Sequence, residues 1–229
     1  MPGKRSDVPF DTSHFKKETT KGIRRSVQDT FTFIHQSNHW SGQKSVSGNG
    51  SDFIQTEAIR HHLPRLIKDF NIKVMLDLPC GDFNWMQTVD FKLDHYIGGD
   101  IVPELIAQNR VKHGSTKREF RVLDIIMDSL PFADLIFCRD CLVHLSNKHI
   151  LKALNNIKKS RTKYLLTTTF TECETNQDIT TGDWRIINLE KPPFHLPKPL
   201  LIINENCTEG GGTYADKSMG LWVVGDILG

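Results

Sequence analysis

Apolar residues recur along the 229-residue chain with two alternating rhythms. Five short apolar runs stand out. Residues 73–78 stop at Pro79, 96–99 at Asp100, 120–123 at Asp124, and 134–138 at Arg139 and Asp140; the fifth covers 164–168. Runs this short predict strands. Helix-period stretches lie between them, clearest over 102–111 and 147–160. Strands alternating with helices predict a parallel sheet with right-handed crossovers, a doubly wound α/β fold.

The two ends break this rhythm. Residues 1–20 are polar with no period and predict a loose arm. A helix is predicted over 21–35, with Ile23, Val27, Phe31 and Ile34 on one face, and a second over 52–70, where Ile54, Ala58, Ile59, Leu63, Leu66 and Ile67 recur. Turn residues separate them, at Trp40-Ser41-Gly42 and Ser47-Gly48-Asn49-Gly50-Ser51. Downstream, apolar runs at 200–204 and 221–224 flank three glycines, 210–212, with no helix between. They predict an antiparallel hairpin at one sheet edge. Residues 171–199, rich in Pro, Asn and aromatics, predict an irregular segment, which in a compact domain is either functional or disordered. The expected organisation is an N-terminal helical extension, 1–71, covering a site on an α/β domain, 72–229.

Composition narrows the class. Hydrophobic residues at 38% and charged residues at 24% suit one globular core. Lys plus Arg (29) nearly balances Asp plus Glu (27), which argues against a protein built to hold a polyanion. The five cysteines are irregularly spaced, and the polar start Met1-Pro2-Gly3-Lys4-Arg5 leads into no apolar leader; both predict reduced thiols and a cytoplasmic protein. The apolar runs are too short to span a bilayer. Cys138 and Cys141 have the spacing of a zinc pair, but no second pair completes four ligands, so no metal is expected.

Candidate chemistry collects at the strand ends, because open α/β sheets bind ligands along their carboxyl edge. After the first strand comes Asp77-Leu78-Pro79-Cys80-Gly81-Asp82, a tight turn in which Gly81 lets a ligand approach the backbone and Asp77 can accept from a cationic amine. Asp100 lies 19 residues after Gly81, near the spacing of about 20 for a carboxylate that holds ribose hydroxyls. Asp124, after the third strand, can accept from an adenine amino group. Each carboxylate alone fits a helix cap equally well. Their order and spacing together point to a nucleotide-like ligand.

On these residues the segment 73–170, and more loosely the last two strands, resembles the class I methyltransferases that use S-adenosylmethionine (SAM). The resemblance implies a mostly parallel seven-stranded sheet with an antiparallel last strand, and SAM as cofactor. Asp77, Pro79, Cys80 and Gly81 match the family's glycine loop, beside the methionine part, with Asp82 and Trp85 following; the family has two or three glycines there and this chain has one. Asp100 and Ile101 would hold the ribose, and Asp124 and Ile125 would face the adenine. Cys138 and Arg139 occupy the strand-four position that flanks the methyl group. Trp40, Ser47, Gly48, Gly50 and Ser51 would close over the cofactor's carboxylate through backbone amides; the alternative is a plain loop between helices.

Methyl transfer from a sulfonium needs alignment and exclusion of water, and a hydroxyl acceptor also needs a base. His144 is the candidate base and Asp140 its alternate. The competing roles are a helix cap for His144 and an ion pair with Arg139 for Asp140. Trp184, Arg185 and Asn188, in the irregular segment, are candidates for an acceptor pocket; there, Trp184 would otherwise plug the core. The reading is methyl transfer to a small polar molecule, a sugar hydroxyl being the specific guess. Nucleic acid is disfavoured, since no Asn/Asp-Pro-Pro-aromatic signature follows strand four and no RNA-binding module fits. A protein acceptor stays open. The rivals are a nicotinamide-dependent oxidoreductase, whose fuller Gly-x-Gly-x-x-Gly loop residues 81–86 lack, and a binding protein that has lost turnover.

Overall fold

A computed structural model describes residues 11–227; the first ten residues of the expected arm lie outside them. Seven strands form one sheet in the order β3-β2-β1-β4-β5-β7-β6. They are β1 (Val74–Asp77), β2 (His95–Asp100), β3 (Arg118–Val122), β4 (Leu135–Cys138), β5 (Tyr164–Phe170), β6 (Leu201–Asn204) and β7 (Lys217–Val223). Strands β1 to β5 pair in parallel, and β7 inserts antiparallel between β5 and β6. The fold is therefore α/β, with a single reversed strand. Chain order runs outward from β1 through β2 and β3, then restarts on the other side with β4. That reversal opens a crevice at the carboxyl ends of β1 and β4. Register aligns those ends, Asp77 standing opposite both Gly98 and Phe137.

Neighbouring strand residues face opposite sides of the sheet, and each side has its own core. Leu76, Ile136 and Leu165 pack with Ile150, Ala153, Leu154 and Ile157 of α5 (Asn147–Lys159) and with Trp222. Met75, Leu135 and Leu166 pack with Ile59, Leu63, Leu66 and Ile67 of α3 (Glu57–Asp69) and with Ile106 of α4 (Pro103–His113). The irregular segment after β5 is packed in place: Cys173, Ile187, Leu189, Phe194 and Leu196 join the first core.

Several elements differ from expectation. Part of the expected loose arm is helical: α1 (His14–Thr20) buries Phe15. The helix expected over 21–35 is α2 (Val27–Ser37), because Ser26 caps it, accepting from the Asp29 N–H at 3.0 Å; Ile23 is left exposed. The helix expected over 52–70 starts at Glu57, leaving Ile54 in solvent. The connection between β1 and β2 holds only a short 3-10 turn, Met86–Thr88. Phe83, Trp85 and Met86 fill there the space a helix would cover. The expected last run at 221–224 is the second half of β7, which starts four residues earlier.

Candidate active site

The crevice is a cavity of about 410 Å³, within the size range of small-ligand pockets. Asp77, at the end of β1, lies on its floor, buried, with the Tyr96 hydroxyl donating to Oδ2. Burial raises its carboxyl to about 8, so it is largely protonated at neutral pH. In the turn that follows, Gly81 has φ +52°, and a Cβ there would lie 2.1 Å from Ser47 Oγ. The glycine is thus required by the loop packed on it. Its N–H donates to Asp100 Oδ2 at 3.2 Å, and Asn109 Nδ2 donates to its carbonyl at 2.8 Å.

Asp100, at the end of β2, also accepts from the Val102 N–H at 2.9 Å. Burial lifts its carboxyl to about 6. Asp82 ties the upstream loop down, accepting from Ser45 Oγ and the Val46 N–H, both at 3.0 Å. This brings Ser47, Gly48, Gly50 and Ser51 to the cavity wall beside Pro79, Cys80 and Trp85. Ile101, Asp124 and Ile125 line the wall beyond β2 and β3; the Asp124 carboxylate accepts from the Ile126 N–H at 2.7 Å, and burial raises it.

Past β4, His144 lines the cavity from a 3-10 turn, Leu142–His144. Its ring stacks on Trp40, centroids 4.4 Å apart. The Trp40 indole Nε1 is buried without a hydrogen-bond partner among the described residues. His144 Nδ1 lies 3.1 Å from the Asp183 carbonyl, which can only accept. The neutral ring therefore carries its proton on Nδ1 and leaves the Nε2 lone pair free. Burial pushes its pKa down to about 4, so the ring is neutral at neutral pH.

Solved structures place the architecture. N-methyltransferase NodS from Bradyrhizobium japonicum WM9 aligns with 76% of this chain and 98% of its own, at TM-score 0.55 and 13% identity. The methyltransferase domain of bacterial CtHen1 covers 75% and 99%, at 0.53 and 13%. DhpI, solved with S-adenosylhomocysteine (SAH), covers 75% and 84%, at 0.50 and 17%. This is the class I methyltransferase fold. No protein-family model and no curated protein sequence matches the chain.

On that methyltransferase fold, a buried charge cluster closes one end of the cavity; it contains the Arg139–Asp140 pair that the sequence offered as the alternative role of Asp140, and adds Glu205 and Lys217. Arg139 Nε donates to Glu205 Oε1 at 2.6 Å and its Nη1 lies 3.1 Å from Asp140 Oδ2; Lys217 Nζ donates to Asp140 Oδ2 at 2.7 Å. Burial alone would raise Asp140, but Lys217 and Arg139 outweigh it and hold the carboxyl near 2. So Asp140, the alternate base, is an ion-pair partner and a poor proton acceptor. Glu205 and Lys217 come from the β6–β7 hairpin, and nothing in their local sequence marks them.

Three expected site residues lie elsewhere. Cys138 is fully buried behind the wall. Arg185, expected in the acceptor pocket, spends its guanidinium on the Leu142 and Leu145 carbonyls at 2.8 and 2.7 Å. Asn188 braces its own loop, its Oδ1 accepting from the Glu190 N–H at 3.0 Å. Of the expected acceptor residues, Trp184 does line the cavity, joined by Phe31, Phe170 and Tyr214.

Proposed function

We propose that the protein transfers a methyl group from SAM to a hydroxyl of a small, uncharged polar molecule. The observation that carries this is one cavity holding Asp77, Gly81, Asp100 and Asp124 at successive strand ends together with a neutral His144 whose tautomer is fixed.

The residues fit the cofactor. Asp100 and Asp124 would take the ribose and adenine, and Asp77 with the Gly81 turn the methionine part; the orphaned Trp40 Nε1 offers a donor for its carboxylate. When bound, SAM supplies an electrophilic methyl group. Trp40, stacked on His144, excludes water from the ring. His144 Nε2 accepts the proton of the acceptor hydroxyl. Trp184, Phe170 and Tyr214 supply apolar surface for the acceptor's body.

The charge pattern supports an acceptor without negative charge. Arg139 and Lys217, the lysine and arginine side chains lining the cavity, are both already paired with carboxylates. Among the described residues, a phosphate or nucleic acid backbone would find no free cation there.

The test is calorimetry with SAM and with NADH. Micromolar SAM binding without NADH binding is expected, and NADH binding without SAM would replace the reading by the oxidoreductase. With an acceptor in hand, His144→Ala should cut turnover by about 10²-fold or more with SAM affinity unchanged; wild-type turnover removes the histidine's role.

A further inference from the structure

We propose that Arg185 is a positioning residue, and that the segment 182–185 is a splint holding the His144 imidazole in one orientation and one tautomer. This rests on the reading of His144 as the base.

The splint receives every carbonyl of the turn that carries His144. Arg185 Nη1 donates to Leu142 O at 2.8 Å, the Arg185 N–H to Val143 O at 3.2 Å, the Gly182 N–H to His144 O at 2.8 Å, and Arg185 Nη2 to Leu145 O at 2.7 Å. The Asp183 carbonyl then takes His144 Nδ1. One guanidinium thus bridges both ends of a single turn, which a planar fork of donors can do and a point ammonium cannot. The remaining partners of Arg185, Asn147 Oδ1 at 3.1 Å and Gln177 O at 3.3 Å, are neutral oxygens. Burying a cation whose hydrogen-bond partners are neutral oxygens is costly; burial lowers its pKa to about 10, and the Asp178 carboxylate offsets this only in part. A loop needing only a brace would be served by a neutral side chain.

The charge has a second effect. Beyond burial, the Asp183 carbonyl and Asp140 favour protonation of His144, and the charges of Arg185 and Lys217 disfavour it. Arg185 therefore helps keep the ring neutral while its hydrogen bonds fix the ring's place. The splint is itself anchored. Asp183 accepts from the Phe15 and Lys16 N–H groups of α1 at 2.8 and 3.0 Å. Gly182 has φ +105°, and a Cβ there would meet the Phe15 ring at 2.5 Å.

The test reads the ring directly by ¹⁵N NMR of histidine-labelled protein, with His144 assigned from a His144→Gln sample. Wild type should show protonated Nδ1 and bare Nε2 at neutral pH. Arg185→Gln should lose the single-tautomer signature and move the ring's titration upward. Arg185→Lys, which keeps the charge, should retain the low titration but still show mixed tautomers. SAH affinity, measured on the same samples, should stay within about twofold, since Arg185 does not line the cavity and shares no hydrogen-bond partner with Asp77, Gly81 or Asp100. An unchanged tautomer in both variants overturns the proposal. Should the variants fail to fold, hydrogen exchange on the wild type decides: Gly182 and Arg185 amides protected like those of β5 support the splint, and open-loop exchange overturns it. Absence of SAH binding in the wild type would sink the methyltransferase reading, while the NMR and exchange results judge the splint separately.

Discussion

Asp77 and His144 are both buried, and burial moves them in opposite directions, to about 8 and about 4. The folded chain keeps a proton on Asp77 that the unfolded chain, near 3.8, gives up. The stability this contributes is complete at low pH and is lost as pH rises through about 8. His144 acts oppositely, raising stability with pH between about 4 and 6.5, and contributes no slope above that. Asp100, near 6, has titrated by then. Stability should therefore fall by about 2 kcal/mol between pH 6.5 and 8, and Asp77→Asn should flatten the slope, as urea midpoints across that range would show. In binding, Asp100→Ala should weaken SAM affinity by about tenfold or more, read by calorimetry; unchanged affinity would remove Asp100 from the ribose site. The strand-end carboxylates were legible because a polar residue closing an apolar run is a local signal. The Arg139 pair of Asp140 was legible as an alternative to a base, being between chain neighbours; the Lys217 pair was not, since Lys217 is 77 residues away in sequence.

Among elements, the β6–β7 hairpin does more than complete the sheet. It delivers Glu205 and Lys217 to the end of β4, where they lock Arg139 and Asp140. Asp140 needs that lock: it sits at φ +52°, uncommon for a residue with a side chain, with its N–H held by Thr168 Oγ1 at 2.8 Å. Glu205→Ala would leave a buried guanidinium short of its partner and should cost about 3–5 kcal/mol in chemical denaturation. A loss within the ordinary surface range would mean that water replaces the carboxylate. The hairpin itself was legible from its two apolar runs and the glycines between them. Its insertion beside β5 was not, because edge order is chosen by which strand offers an unpaired partner.

For the whole molecule, the N-terminal segment and the loop after β5 meet over the site. Helix α1 docks on Asp183, α2 reaches Ile101, whose carbonyl accepts from Gln28 Nε2 at 3.0 Å, and Trp40 stacks on His144. Removing residues 1–21 takes away the buried Phe15 and uncaps Asp183. It should cost about 2–3 kcal/mol and lower the melting temperature by several degrees, with SAH binding retained; an unchanged melting curve would show that α1 contributes nothing to the cover. Among the described residues no helix is long and apolar enough to cross a membrane.

The amino-acid sequence is enough to set the strands and their parallel α/β character, because a strand of a parallel sheet must be written as a short apolar run, and a ligand-facing strand end must be polar. The first four runs and their punctuation place Asp77, Gly81, Asp100, Asp124 and His144 at one edge. Tertiary structure alone decided how those groups behave. Burial sets the protonation of Asp77 and His144, a carbonyl from a distant loop selects the histidine tautomer, and a hairpin at the far end of the chain neutralises Asp140. Each of these depends on contacts between residues far apart in sequence, which no local pattern encodes.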